Sequence, residues 1–289
     1  MTTTITRPVR SLKGRVAIVT GAGALPGGIG NGRAAAILLA EDGCNVVCVD
    51  LKRELAQETV EMISHEGQGS GLAIAGDVTN ADACQKIVDE TISHFGRLDI
   101  LVNNVGIIGA KGNAVEVDMA DFYRGFEVNV GSMVQMAKAS IPRMRVNKGQ
   151  WAGSIVNMGS VAGLRGGGPN LLYPTSKGAI VNMTRAMAAN HAPDRIRVNC
   201  VCPGMVYTPM MYGANEAGMT EAERQARRDR SLLKTEGNGW DVGAAIRFLA
   251  GDEARWITGV VLPVDAGTTC ATGIGMEGLN TSTTMKRAT

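Results

Sequence analysis

The chain has 289 residues, and its 29 basic and 27 acidic side chains leave a net charge of +2, with no basic footprint for nucleic acid or an anionic membrane. A hydrophobic content of 45% at this charge excludes disorder, and no run approaches the roughly 18 apolar residues of a membrane helix. Glycine is the outlier, with 38 residues beside only 4% aromatics, a mixture suited to tight turns between aliphatic strands and helices.

Residues 1–13 form a polar lead-in without the apolar core of a secretory signal. Valine-rich runs then predict strands over 15–20, 45–50, 72–76, 98–104, 154–159, 197–202 and 260–264. Helical periods lie between them at 31–42, 53–66, 80–94, 119–146, 173–192 and 241–251. Strands with so little polar alternation are buried on both faces, which is the mark of a parallel sheet covered by helices. The alternation predicts one α/β domain over 1–289, a doubly wound, seven-stranded parallel sheet with helices on both faces. Two pieces fall outside the pattern: an irregular connection at about 205–240, long enough to be a lid, and a Gly/Thr-rich tail at 268–289. The basic run at 223–230 interleaves acids and reads as a solvated helix face. The six cysteines show neither CxxC pairs nor zinc spacing. They read as small buried hydrophobes in a reduced, cytoplasmic protein with no metal.

The first strand runs into Thr20-Gly21-Ala22-Gly23-Ala24-Leu25-Pro26-Gly27-Gly28-Ile29-Gly30 and then an alanine-rich helix. Glycines here let the backbone approach a pyrophosphate, whose charge sits at the helix N-terminus. The second strand ends about twenty residues on at Asp50, where a carboxylate accepts hydrogen bonds from a ribose and repels a 2′-phosphate. That favours NAD over NADP, although Lys52 and Arg53 follow. In Tyr173-Pro174-Thr175-Ser176-Lys177 the tyrosine and lysine stand one helical turn apart on one face. A nearby ammonium favours the phenolate of a tyrosine that otherwise titrates near 10.

With TG…GIG, Asp50, Asp77-Val78, NNVG at 103–106, Asn129, Ser160, YPTSK and Pro203-Gly204 in this order, residues 13–267 resemble the short-chain dehydrogenase/reductase family and its Rossmann fold. The resemblance implies Tyr173 as general acid/base and Lys177 as ribose ligand that lowers the tyrosine pKa. It implies Ser160 as hydrogen-bond donor to the substrate oxygen, and Asn129 as holder of a water in the proton relay. It also implies a cofactor site at Gly21, Gly28, Ile29, Gly30, Asp50, Asp77, Val78, Asn103, Tyr173, Lys177, Val206 and Thr208. Six residues separate Gly21 from Gly28 where the family has three, NNVG replaces NNAG, and the chain runs about twenty residues past the usual end.

The reading is an NAD-dependent oxidoreductase that interconverts a secondary alcohol and a ketone. The alternative is an NAD-binding protein of this fold that isomerises, cyclises or senses; a hydrolase is excluded by the lack of GxSxG. Met205, Met210, Met211 and Met219 crowd the segment after Pro203-Gly204 and suggest an apolar, cyclic substrate. The resemblance implies a homotetramer or homodimer, and Ile180, Val181, Met183, Met187 and Ala188 read as surplus apolar surface on the helix that would join subunits.

Overall fold

A computed structural model describes residues 7–66, 68–213 and 218–271. Its seven strands are β1 Val16–Thr20, β2 Asn45–Asp50, β3 Gly71–Ala75, β4 Ile100–Asn103, β5 Gly153–Met158, β6 Ile196–Pro203 and β7 Val261–Val264. All pair in parallel, in the order β3-β2-β1-β4-β5-β6-β7. The order in which strands are added to the sheet switches sides between β1 and β4, and in such sheets the crevice for a ligand lies at the carboxyl ends of the two strands.

Successive strand residues point to opposite faces, so the sheet feeds two cores. Ala17 and Val19 of β1 join one, with Leu39 of α1 (Asn31–Glu41), Ile63 of α2 (Arg53–Glu66) and Ile246 of α9 (Gly239–Ala250). Ile18 joins the other, with Val88 of α3 (Ala81–Phe95) and Met136 of α5 (Ser132–Met144). The helices α1 and α9 meet at close range, because a Cβ on Gly243 would lie 3.0 Å from Ala34 Cβ.

The single helix expected at 119–146 is two helices, α4 (Met119–Phe126) and α5, joined by a π turn at Glu127–Gly131. An extra residue in one turn shifts the apolar phase by a single position, about 100°, which a short and uneven apolar pattern does not reveal; such bulges favour functional sites. Helix α6 spans Leu172–His191. The connection read as irregular holds two short helices, α7 (Pro209–Tyr212) and α8 (Glu221–Arg228), the second started by a Thr220–Glu223 capping box.

Two expectations need correction. The basic run is not wholly a solvated face: Arg224 and Arg227 of α8 both hold Glu236 at 2.9 Å, and Arg227 also donates to Val206 O. The apolar residues of α6 are not surplus, since Ile180, Val181 and Ala188 are buried in the chain's own cores, with Met183 and Met187 packed against them. A helix lying along a sheet buries a wide stripe, and α6 uses all of these residues for it. Most of the tail, 272–289, and the start of the lead-in, 1–6, lie outside the described residues; Thr268, Thr269 and Ala271 each lend a backbone carbonyl to Arg165. Among the described residues no helix is long and apolar enough to cross a membrane, and none form a cluster able to hold a metal ion.

Candidate active site

Pro174 is tolerated in the first turn of α6 because its missing N–H has no partner there to lose. Tyr173 and Lys177 thus project from that end of the helix together, with the Lys177 Nζ 5.6 Å from the centroid of the tyrosine ring. Lys177 is buried, and its Nζ donates to Met158 O at the end of β5 at 2.9 Å. Burial penalises the ammonium and pushes its pKa down to about 8, against a smaller opposing effect of Cys200 and Cys202. Burial also pushes the Tyr173 phenol above its ordinary value, while a hydrogen bond with Ser160 works the other way.

Ser160 follows β5 and caps the short helical turn Val161–Gly163, its Oγ accepting from Ala162 N at 3.2 Å. This turn lies directly on α6: a Cβ on Gly163 would sit 2.4 Å from the backbone carbon of Lys177 and 2.5 Å from its oxygen. Only glycine lets the two segments approach so closely.

Asn129 stands in the π turn, fully buried, with its whole amide engaged. Its Oδ1 accepts from Ile107 N at 2.7 Å, and its Nδ2 donates to Ile107 O at 2.9 Å and Ser176 Oγ at 3.0 Å. It ties the segment after β4 to the first turn of α6. Gly106 lies between, where a Cβ would be 3.2 Å from Lys177 Nζ and 3.4 Å from Asn129 Oδ1. The four residues expected to be catalytic therefore converge where β4 and β5 end.

The glycine loop lies beside this cluster. Gly21 has φ +61°, and the Asn104 side chain donates to its carbonyl at 2.9 Å. Gly30 caps α1 without a side chain, and the first turn carries no acid, so the positive end of the helix is left for an anion. Asp50 Oδ2 accepts from Gly23 N at 3.1 Å, and a Cβ on Gly23 would lie 2.6 Å from that oxygen. This cradle, with a carboxylate at one side and uncapped helix amides at the other, fits an adenine dinucleotide.

Of the other residues, Val78 is buried beside exposed Asp77, whose carboxylate accepts from Thr79 N and Oγ1 at 2.9 and 2.7 Å. Those two hydrogen bonds hold Asp77 below the usual carboxylate range. Ile29 and Gly30 turn their carbonyls toward Gly239, whose Cβ would lie 2.7 and 3.0 Å from them. Val206 bridges to Gly237, and Thr208 caps α7. Asn103 is the last residue of β4 and is buried, its Nδ2 donating to Asn157 Oδ1 at 2.9 Å inside the sheet while its Oδ1 has no protein partner. The neighbouring Asn104, missed in the sequence, is the one that grips the loop. Arg33, Glu58 and Thr59 were missed as well, although an arginine inside NGRAAAILLA was a visible anomaly on an apolar helix.

The fold and this constellation define a nicotinamide-dependent oxidoreductase. A family model described as enoyl-(acyl carrier protein) reductase matches residues 23–269. Meso-2,3-butanediol dehydrogenase of Serratia marcescens is 34% identical over 90% of the chain and 96% of that protein. A short-chain dehydrogenase/reductase structure from Burkholderia xenovorans superposes with a TM-score of 0.84 at 36% identity, over 90% of this chain and 98% of that one. A 7α-hydroxysteroid dehydrogenase in complex with NADH and 7-oxo glycochenodeoxycholic acid superposes with a TM-score of 0.80 at 32% identity, over 89% of this chain and 95% of that one. The chain belongs to the short-chain dehydrogenase/reductase family, oxidoreductases that act on CH–OH groups.

Proposed function

We propose that the protein is an NAD-linked dehydrogenase/reductase that interconverts a secondary alcohol and a ketone on an apolar, cyclic small molecule. The observation that carries this reading is the convergence of Tyr173, Ser160, Lys177 and Asn129 beside an anion-ready helix end. The nicotinamide, when bound, takes or returns the hydride. Tyr173 Oη receives the hydroxyl proton in oxidation and gives it back in reduction. Ser160 Oγ donates to the substrate oxygen where negative charge develops. Lys177 is the ribose ligand; the expected lowering of the Tyr173 pKa is not found in the structure, where burial raises the phenol and the hydrogen bond with Ser160 is what opposes it. Asn129 keeps the first turn of α6 in place, and its side-chain amide is fully used for that.

Asp50 supports NAD over NADP. A unit negative charge at ~5 Å repels a second by about 3 kcal/mol at an effective dielectric near 20, and the carboxylate already points at the loop through Gly23 N. The apolar substrate is supported by Ile107, Ile108, Leu171 and Met210, which are exposed by 40%, 45%, 38% and 50%. They are neighbours in sequence of Gly106, Tyr173 and Thr208, so each of the segments that carry these residues also carries exposed apolar side chains. The steroid in the 7α-hydroxysteroid dehydrogenase complex is consistent with such a rim.

The proposal includes a cytoplasmic homo-oligomer. Met119, Tyr123 and Val134 of α4 and α5 are 48%, 67% and 48% exposed, an apolar patch that suits a two-fold contact. A monodisperse monomer in light scattering at micromolar concentration would refute that part. The chemistry is tested by Tyr173→Phe, assayed by reduced-nicotinamide absorbance against a panel of secondary alcohols. Loss of the acid/base oxygen is expected to cost roughly 10²–10⁴-fold in turnover while the dinucleotide still binds. A variant that keeps more than about a tenth of the wild-type rate contradicts the assignment.

A further inference from the structure

The enlarged glycine loop departs from the family pattern, and the structure shows what holds it. Arg33, the third residue of α1, is fully buried. Its Nη1 donates to Gly28 O at 2.8 Å, its Nη2 to Ala24 O at 3.3 Å, and its Nε to Thr59 Oγ1 at 3.0 Å. Thr59 passes the link on by donating to Ala22 O at 2.8 Å. Glu58 on α2 completes the ring: its Oε2 accepts from Arg33 Nη2 at 2.9 Å and its Oε1 from Gly27 N at 2.8 Å. The loop is thus held at the carbonyls of Ala22, Ala24 and Gly28 and at the amide of Gly27. All of these bonds lead back to one guanidinium and its counter-ion.

The outer side of the same loop meets the lid. A Cβ on Gly28 would lie 2.7 Å from Pro209 Cγ and 3.0 Å from Tyr212 Oη, and one on Gly213 would lie 2.4 Å from Leu25 Cδ1. The loop is gripped by α1 and α2 on one side and by α7 on the other.

We propose that Arg33 and Glu58 are positioning residues: their ion pair holds the enlarged loop in the shape that binds the dinucleotide pyrophosphate, and so sets cofactor affinity without taking part in the chemistry. The inference rests on the loop being the dinucleotide site. A planar fork is required, because all three guanidinium nitrogens donate to separate acceptors around one cation. A lysine has the charge but not the geometry. A glutamate is required because an uncompensated cation at this depth is costly. Burial works to raise the Glu58 pKa, but the Gly27 amide and the guanidinium outweigh it and hold the carboxylate ionised.

The test uses Glu58→Gln and Arg33→Lys in the full-length enzyme. Glu58→Gln keeps the side-chain shape and an oxygen for Gly27 N and removes the charge beside Arg33; Glu58 is 27% exposed, so this variant keeps the test alive if Arg33→Lys does not fold. Binary dissociation constants for NADH are read by fluorescence titration, and backbone hydrogen exchange over residues 22–28 is read without dinucleotide. The expected result is roughly ten-fold weaker NADH binding in each folded variant, the size of losing one charge-assisted hydrogen bond. The cofactor KM rises in step with kcat nearly constant, and exchange at Gly27 and Gly28 is faster. Exchange and affinity equal to wild type in Glu58→Gln would overturn the clasp, and faster exchange at equal affinity would overturn its effect on the cofactor. A wild-type enzyme that binds no dinucleotide would refute the proposed function instead, and the exchange rates would still judge the clasp.

Discussion

Gly163→Ala isolates the approach of the Ser160 turn to α6. The added methyl would lie 2.4 Å from Lys177 C, 2.5 Å from Lys177 O and 2.7 Å from Gly178 N, where ordinary contact needs about 3.5 Å or more. All three atoms are backbone, so no rotamer change relieves the overlap, and the two segments must separate by about 1 Å. Overpacking of this kind costs about 1–3 kcal/mol of stability, which for a chain of this size lowers Tm by roughly 2–4 °C per kcal/mol. The larger effect is on turnover, because the displacement draws Ser160 from Tyr173, and a 1 Å misplacement of reacting groups costs on the order of 10²-fold. Turnover at saturating substrate, NADH affinity by fluorescence and Tm by scanning calorimetry separate the effects: kcat falls about 10²-fold while NADH affinity is nearly retained. Gly166→Ala is the control, since a Cβ there meets nothing within 4 Å. A Gly163→Ala enzyme with wild-type kcat would refute the reasoning, because the turn would then have given way without disturbing the site.

Asp50→Asn keeps the side-chain shape and removes the charge. Solvent screening at this half-exposed position reduces the full repulsion, so the ratio of kcat/KM for NAD over NADP should fall by roughly 10–100-fold; an unchanged ratio would refute the role of the carboxylate. Lys177→Met should end turnover yet stabilise the fold. Burial lowers the lysine pKa from 10.5 to about 8, so at pH 7 the buried ammonium costs on the order of 3 kcal/mol, offset by about 1 kcal/mol from its bond to Met158 O. Between about pH 8 and 10.5 the unfolded chain holds the proton that the folded enzyme has released, so wild-type stability from this group rises with pH. The Tm advantage of Lys177→Met should therefore be largest near pH 7 and shrink by pH 9.5; a variant less stable than wild type at pH 7, or a gap that widens with pH, would contradict the burial argument.

The sequence alone determined the fold class, the seven strands and the order of the family motifs, because all of these are local. Strand burial shows in unbroken valine runs, the phosphate loop in its glycines, and the Tyr173–Lys177 pair in one turn of helix. It could not show the π turn that presents Asn129, since a phase shift of one residue, about 100°, is lost in a short and uneven apolar pattern. Nor could it show that Ile180, Val181 and Ala188 are consumed by the chain's own cores, which depends on how wide a stripe α6 buries. The side-chain directions of Asn103 and Asn104 were likewise undetermined, because adjacent residues at a strand end part to opposite sides only once the sheet is in place. Glu58 lies 25 residues from Arg33 and 31 from Gly27, and only the packing of α1 against α2 makes the three one structure. A buried charge has to find its partners in three dimensions, so the residues that hold the enlarged loop emerged only from the tertiary structure.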